Sequence, residues 1–72
     1  MEIDMAIKNR ILELCRERNL SINHLANLSG LSPSTIKNIL DGQSKAPGII
    51  TIKKICDGLE ISLEEFFSTP DF

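Results

Sequence analysis

Seventy-two residues, 42% hydrophobic and 25% charged with a formal net charge of -2, describe one compact domain with one modest core. A chain this short buries only about 60% of the surface its unfolded form exposes, which argues against a large enclosed active-site cleft, and its composition is too ordinary for disorder. No apolar run approaches the roughly 20 residues of a membrane span, and MEIDMAIKNR at the start has no apolar centre of a secretory leader, so the expected location is cytoplasmic.

Met5 to Arg18 sets Ile7, Ile11, Leu14 and Cys15 on one helical face. Asp4 is placed to cap this first helix, because a carboxylate accepts from its unpaired first-turn amides. Asn19 is a left-handed stop, and Ser21 caps a second, shorter helix over about Ile22 to Leu28 that Gly30 ends. Ser32 followed by Pro33 starts a third helix, since proline at the first helical position loses no needed donor and arrives with its φ preset. That helix runs from Pro33 to Asp41, turns Ile36, Ile39 and Leu40 inward, and stops at Gly42.

Gln43 to Gly48 shows no periodicity and reads as a loop. Helix four buries Ile52, Ile55, Cys56 and Leu59, with Gly58 weakening its last turn. Ser62 and Glu65 form a capping box for a short fifth helix containing Leu63, Phe66 and Phe67, after which Ser68 to Phe72 is expected to fray. No alternating β-branched segment, linker or internal repeat interrupts this pattern, so the fold class is all-α.

Charge is unevenly spread. Residues 1–18 are balanced and residues 19–32 carry no formal charge, whereas residues 33–56 set Lys37, Lys45, Lys53 and Lys54 against Asp41 alone, a balance of +3. Residues 57–72 hold Asp57, Glu60, Glu64, Glu65 and Asp71 with no base, a balance of -5. Cys15, Cys56 and a single histidine are too few for a four-ligand zinc site of Cys and His and too sparse for a disulfide scaffold, so both cysteines are expected to be core thiols.

The informative block is SINHLANLSGLSPSTIKNILDG, Ser21 to Gly42. Two short helices joined by a tight turn containing Gly are the physical description of a helix-turn-helix. Ala26 is small where the helices cross, Gly30 sits where a positive φ is needed, and Ile36 fills the angle between them.

On the ordered set Leu25, Ala26, Gly30, Leu31, Ile36, Ile39 and Gly42, with a serine before each helix, the chain resembles the helix-turn-helix family of phage repressors and Cro proteins, the XRE-like regulators. The likeness extends through SKAPG, where Pro47 matches the usual proline, to TIKKICDGLEIS and LEEFF in helices four and five. It implies a single five-helix, phage-repressor-like DNA-binding domain over residues 1–72, with the motif at about 21–42 and helix three in the major groove of double-stranded DNA.

Base contact is then expected from Ser34, Thr35, Lys37 and Asn38 at the start and outer face of helix three. Asn38 can bond adenine bidentately, and Lys37 can donate to guanine or a phosphate. The plainer alternative is that all four are polar surface on an amphipathic helix. Phosphate contact is expected from the amides near Ile22 and Asn23, where a helix start favours an anion, and from Gln43, Ser44 and Lys45, contacts that position without reading sequence. Lys53 and Lys54 either add to this basic face or are simply solvated. His24 reads as plain surface.

Four positions depart from the family pattern. Ile22 replaces a phosphate-clamping Gln, and Pro33 offers no donor at a position often used for base contact. Cys15 and Leu40 replace an Arg and Glu that form a partly buried ion pair, and contact between the two apolar residues is expected in its place.

The expected function is a stand-alone, sequence-specific transcriptional regulator, a repressor binding a palindromic operator, with a possible homodimer joined through helix five and the exposed parts of Leu63, Phe66, Phe67 or Phe72, although aromatics at those positions more often close a core than form an interface. The alternative is an antitoxin-like or adaptor protein-interaction module on the same fold, favoured by Pro33, the missing glutamine and the negative charge. No catalytic constellation, metal-ligand set, cofactor motif or small-molecule pocket is visible, so an enzyme is not expected. Restoring one charge alone, as in Leu40→Glu, leaves it uncompensated in the interior and should cost about 3 kcal/mol or more in chemical denaturation.

Overall fold

The computed structural model describes residues 3–41, 47–70 and 72, apart from the side chain of Asp4. Among these it contains five helices and no strand: α1 (Ile3–Glu17), α2 (Ile22–Ser29), α3 (Pro33–Asp41), α4 (Ile49–Leu59) and α5 (Leu63–Phe66). The all-α expectation holds, and α3 has the expected bounds. α1 begins two residues earlier than Met5, so Asp4 lies within its first turn and does not precede it. α2 runs one residue further than expected, to Ser29.

One three-residue connector recurs at three helix ends. Asn19, Gly30 and Glu60 each take a positive φ, at 54°, 69° and 58°. The next residue in each case is apolar and bonds back five positions into the finished helix: Leu20 to the Cys15 carbonyl, Leu31 to Ala26 and Ile61 to Cys56, each at 2.9 Å. This closes the orphan carbonyls of a helix end and turns the apolar side chain inward, where Leu20 and Leu31 pack against the core and Ile61 joins it. The third residue is a serine whose Oγ accepts the N–H three residues on. Ser21 accepts from His24 at 3.0 Å, Ser32 from Thr35 at 3.2 Å and Ser62 from Glu65 at 3.0 Å. A left-handed glutamate was not foreseen, because Gly58 is the more obvious stop.

Gly58 has another role. A Cβ built there would lie 2.7 Å from the carbonyl carbon and oxygen of Leu28 and 2.9 Å from the Ser29 nitrogen. The residue is a hydrogen-sized gap through which α4 packs on the end of α2, and α4 is the element α2 packs against most extensively. This packing role comes in addition to the expected weakening of the last turn.

The interior joins Ile7, Ile11 and Leu14 of α1 to Leu25 and Ala26 of α2, Ile36 of α3, Ile55 and Leu59 of α4, and Phe66 of α5. Cys15 and Leu40 lie in this same cluster, and both cysteines are free and buried. Arg10 of α1 and Arg18 just after it bind carbonyls at distant helix ends. Arg10, itself buried, donates from Nε to the Phe66 carbonyl at 2.7 Å and from Nη2 to that of Glu65 at 2.9 Å, and also pairs with Glu13. Arg18 donates to the Leu59 carbonyl at 2.7 Å.

Where fraying was expected, Ser68 and Phe72 make contacts with the end of α5 and the residues after it. Ser68 donates to the Glu65 carbonyl at 2.7 Å and the Phe72 amide to that of Thr69 at 3.1 Å. The Phe72 ring meets Phe67 edge-on at 4.8 Å, and Phe67 meets Phe66 in the same way at 4.9 Å. Three rings in sequence reach give the tail an aromatic anchor.

Gly58→Ala should lose about 2 kcal/mol in urea denaturation, because crowding against backbone outweighs the helix propensity gained by alanine, about 1 kcal/mol. Burial pushes both thiols above their ordinary 9.0. Acids held up in the folded state contribute their stability fully below that pH and lose it above. The urea midpoint should therefore fall as pH rises past about 9, and alkylation near neutral pH should require denaturant.

Candidate nucleic-acid interface

The motif is assembled by the second connector. Ala26 and Leu25 of α2 and Ile36 of α3 are wholly buried at the crossing of the two helices, and Gly30, at φ 69°, makes the turn between them. This arrangement leaves Ser34, Lys37, Asn38 and Asp41 exposed at i, i+3, i+4 and i+7, along one face of α3. Three of the four expected base-contact residues thus share a stripe. Thr35 is half-buried beside it, with its Oγ1 2.9 Å from the Ser32 Oγ.

Asp41 at the far end of the stripe was counted in the sequence only as an isolated acid. Its carboxylate makes the far end of the stripe acidic where Lys37 makes its middle basic.

At the start of α2, Ser21 supplies its Oγ to the His24 N–H and its carbonyl to Leu25. Ile22 and Asn23 contribute the remaining first-turn amides, which have no carbonyl partner within a helix; both residues are exposed, as is His24. Gln43, Ser44 and Lys45, and the expected stop at Gly42, lie outside the described residues.

The two lysines of α4 are not equivalent. Lys53 donates to the Asp57 carboxylate at 2.6 Å, a hydrogen bond that raises its pKa, so its charge is largely answered within its own helix. Lys54 is exposed and makes no such pair among the described residues. Ile49 and Ile50 at the start of α4 are 60% and 71% exposed, an apolar pair that sequence periodicity did not single out.

The apolar residues of helix five and the tail mostly close the core, the commoner role for aromatics at such positions, and leave little association surface. Phe66 is wholly buried, Leu63 and Phe67 are partly buried against the core, and of these aromatics only Phe72 is substantially exposed. Among the described residues there is no cluster of three or more His, Cys, Asp or Glu able to hold a metal, and no helix is long and apolar enough to cross a membrane. A small cavity of about 200 Å³ lies along α1 between Asn9, Glu13, Arg16 and Thr69, on the border of Arg10, whose guanidinium is already engaged by two carbonyls and Glu13.

A family model describing the Cro/C1-type helix-turn-helix DNA-binding domain matches residues 10–71. Among curated proteins, the chain is 37% identical over 59 residues to the uncharacterized helix-turn-helix-type transcriptional regulator RghRB of Bacillus subtilis, covering 82% of this chain and 42% of that protein. It is 36% identical over 67 residues to the transcriptional regulator PuuR of Escherichia coli, covering 93% and 36%, and 41% identical over 51 residues to the transcriptional repressor RghR of B. subtilis, covering 71% and 38%. The chain therefore spans about two-fifths of the length of these relatives. Among solved structures, prophage Lp1 protein 11 superposes with a TM-score of 0.85 at 39% identity, over 96% of this chain and 91% of that one.

Proposed function

This chain belongs to the Cro/C1-type helix-turn-helix DNA-binding family, and we propose that it is a sequence-specific transcriptional regulator, a repressor that reads an operator with α3. The observation that carries this reading is the exposed stripe of Ser34, Lys37 and Asn38 on a helix whose opposite face is fully committed to the core. Side chains there are free to enter a groove at no expense to packing.

Asn38 presents both a donor and an acceptor, the pattern that adenine matches in the major groove, and Lys37 a charge for guanine or phosphate. Ile22 and Asn23 offer first-turn amides at the positive end of α2, where no acidic residue competes for them. Gln43, Ser44 and Lys45 supply a second phosphate contact after α3. Lys54 adds charge more readily than Lys53. Two copies on a palindrome would place their α3 helices about 34–36 Å apart, and the domain, with extents of 28 × 25 × 22 Å, fits one per half-site. With helix five largely interior, association between copies depends on bound DNA. The domain has no catalytic role in this scheme.

Few cations lie near the groove, so about 3 to 5 neutralised phosphates per domain are expected, giving a log–log salt slope of about -3 to -4.5. Selection from a random duplex pool should return a motif, and Asn38→Ala should weaken discrimination at one base pair by about 1–3 kcal/mol with unspecific affinity unchanged. An absence of DNA affinity even at low salt would replace this reading by the adaptor one, in which the same fold binds protein.

A further inference from the structure

We infer that Ser32 is a positioning residue that fixes the polarity with which Thr35 meets DNA, making Thr35 a reader of acceptor edges; this rests on α3 being the reading helix. Ser32 Oγ accepts the Thr35 N–H at 3.2 Å, a hydrogen shared with the Ser32 carbonyl at 3.1 Å, and lies 2.9 Å from Thr35 Oγ1. Distance alone lets either hydroxyl donate to the other, and each has one hydrogen and two lone pairs. If Ser32 donates, an unbroken chain runs from the Thr35 N–H through the Ser32 hydroxyl to Thr35 Oγ1, and each link polarises the next. The reverse order makes Ser32 Oγ accept twice from one residue and breaks that chain.

The unbroken order has a consequence for recognition. Accepting from Ser32 occupies one of the two lone pairs of Thr35 Oγ1 and leaves its hydrogen free to turn outward, which weights the outward face toward donation. In the major groove, guanine presents two adjacent acceptors, adenine and thymine one each with other groups beside them, and cytosine only a donor. Thr35 should therefore favour guanine over cytosine at the base it faces. A threonine early in a helix commonly bonds its hydroxyl to a carbonyl one turn back; here Ser32 holds that oxygen at the helix start, next to Ser34 and within a turn of Asn38.

The test is selection from a random duplex pool with the full chain carrying S32D, T35V or S32T, beside the unchanged protein. Aspartate caps a helix as well as serine but has no hydrogen to give, so Thr35 must donate to it and show DNA only lone pairs. S32D should move one base position from acceptor to donor edges, a shift of about three- to tenfold in relative preference. T35V should flatten that same position, and S32T should keep the original preference. The added charge of S32D weakens all sequences alike and drops out of a ratio between bases. Should S32D fail to fold by circular dichroism, S32A must flatten the position that T35V flattens. Changes at different positions, or uniform weakening with preference intact, would overturn the inference while leaving α3 as the reader; no selected motif for the unchanged protein would remove both.

Discussion

Where α4 crosses the end of α2 there is no room for a side chain at residue 58, whose missing Cβ would overlap the Leu28 carbonyl group. Backbone meets backbone there, which leaves little freedom to slide or tilt. With α2 held in this way, the positive φ of Gly30 and the buried wedge of Ile36 set the direction of α3. The orientation of the exposed stripe is thus traceable to an atom that is absent on a different helix. The three left-handed, apolar, serine connectors act in the same sense, since each one ends a helix, anchors the turn and begins the next helix within three residues.

Much of this was legible in the sequence because helix ends are governed by local chemistry. Ser21, Ser32 and Ser62 cap as their spacing requires, Gly30 and Asn19 turn left-handed as their side chains permit, and the buried stripes of α3 and α4 follow helical periodicity. What escaped depends on contacts between distant residues. Glu60 accepts a strained φ because Ile61 behind it is drawn into the core. Gly58 looks like a weak point until α2 is laid against it. Phe72 is tied down by rings whose proximity no pattern announces. At the candidate interface, exposure followed from amphipathicity alone, whereas the pairing of Ser32 with Thr35 needed geometry. The spacing Ser-x-x-Thr, a capping box with threonine in the usual place of an acid, was the available signal.

Formal charge is a poor guide to the field around this domain. Of the eight lysines and arginines, Arg10 and Arg18 are bound to helix-end carbonyls and Lys53 to Asp57. Arg10 and Lys53 are also paired with the carboxylates of Glu13 and Asp57, which offset their charge, whereas Arg18, bound to a neutral carbonyl, keeps its own. Family members that join helices one and three by an ion pair use charge there too; here Cys15 and Leu40 occupy those positions as part of an apolar interior, and α1 directs its buried cation to the carbonyls of α5.

Ser34, Lys37 and Asn38 occupy solvent and contribute nothing to the interior beneath them. Drift at these three sites is consequently invisible to folding, and a descendant could acquire a new target without passing through an unstable ancestor. Under the proposed reading, reader and target can co-evolve one base pair at a time on an unaltered scaffold.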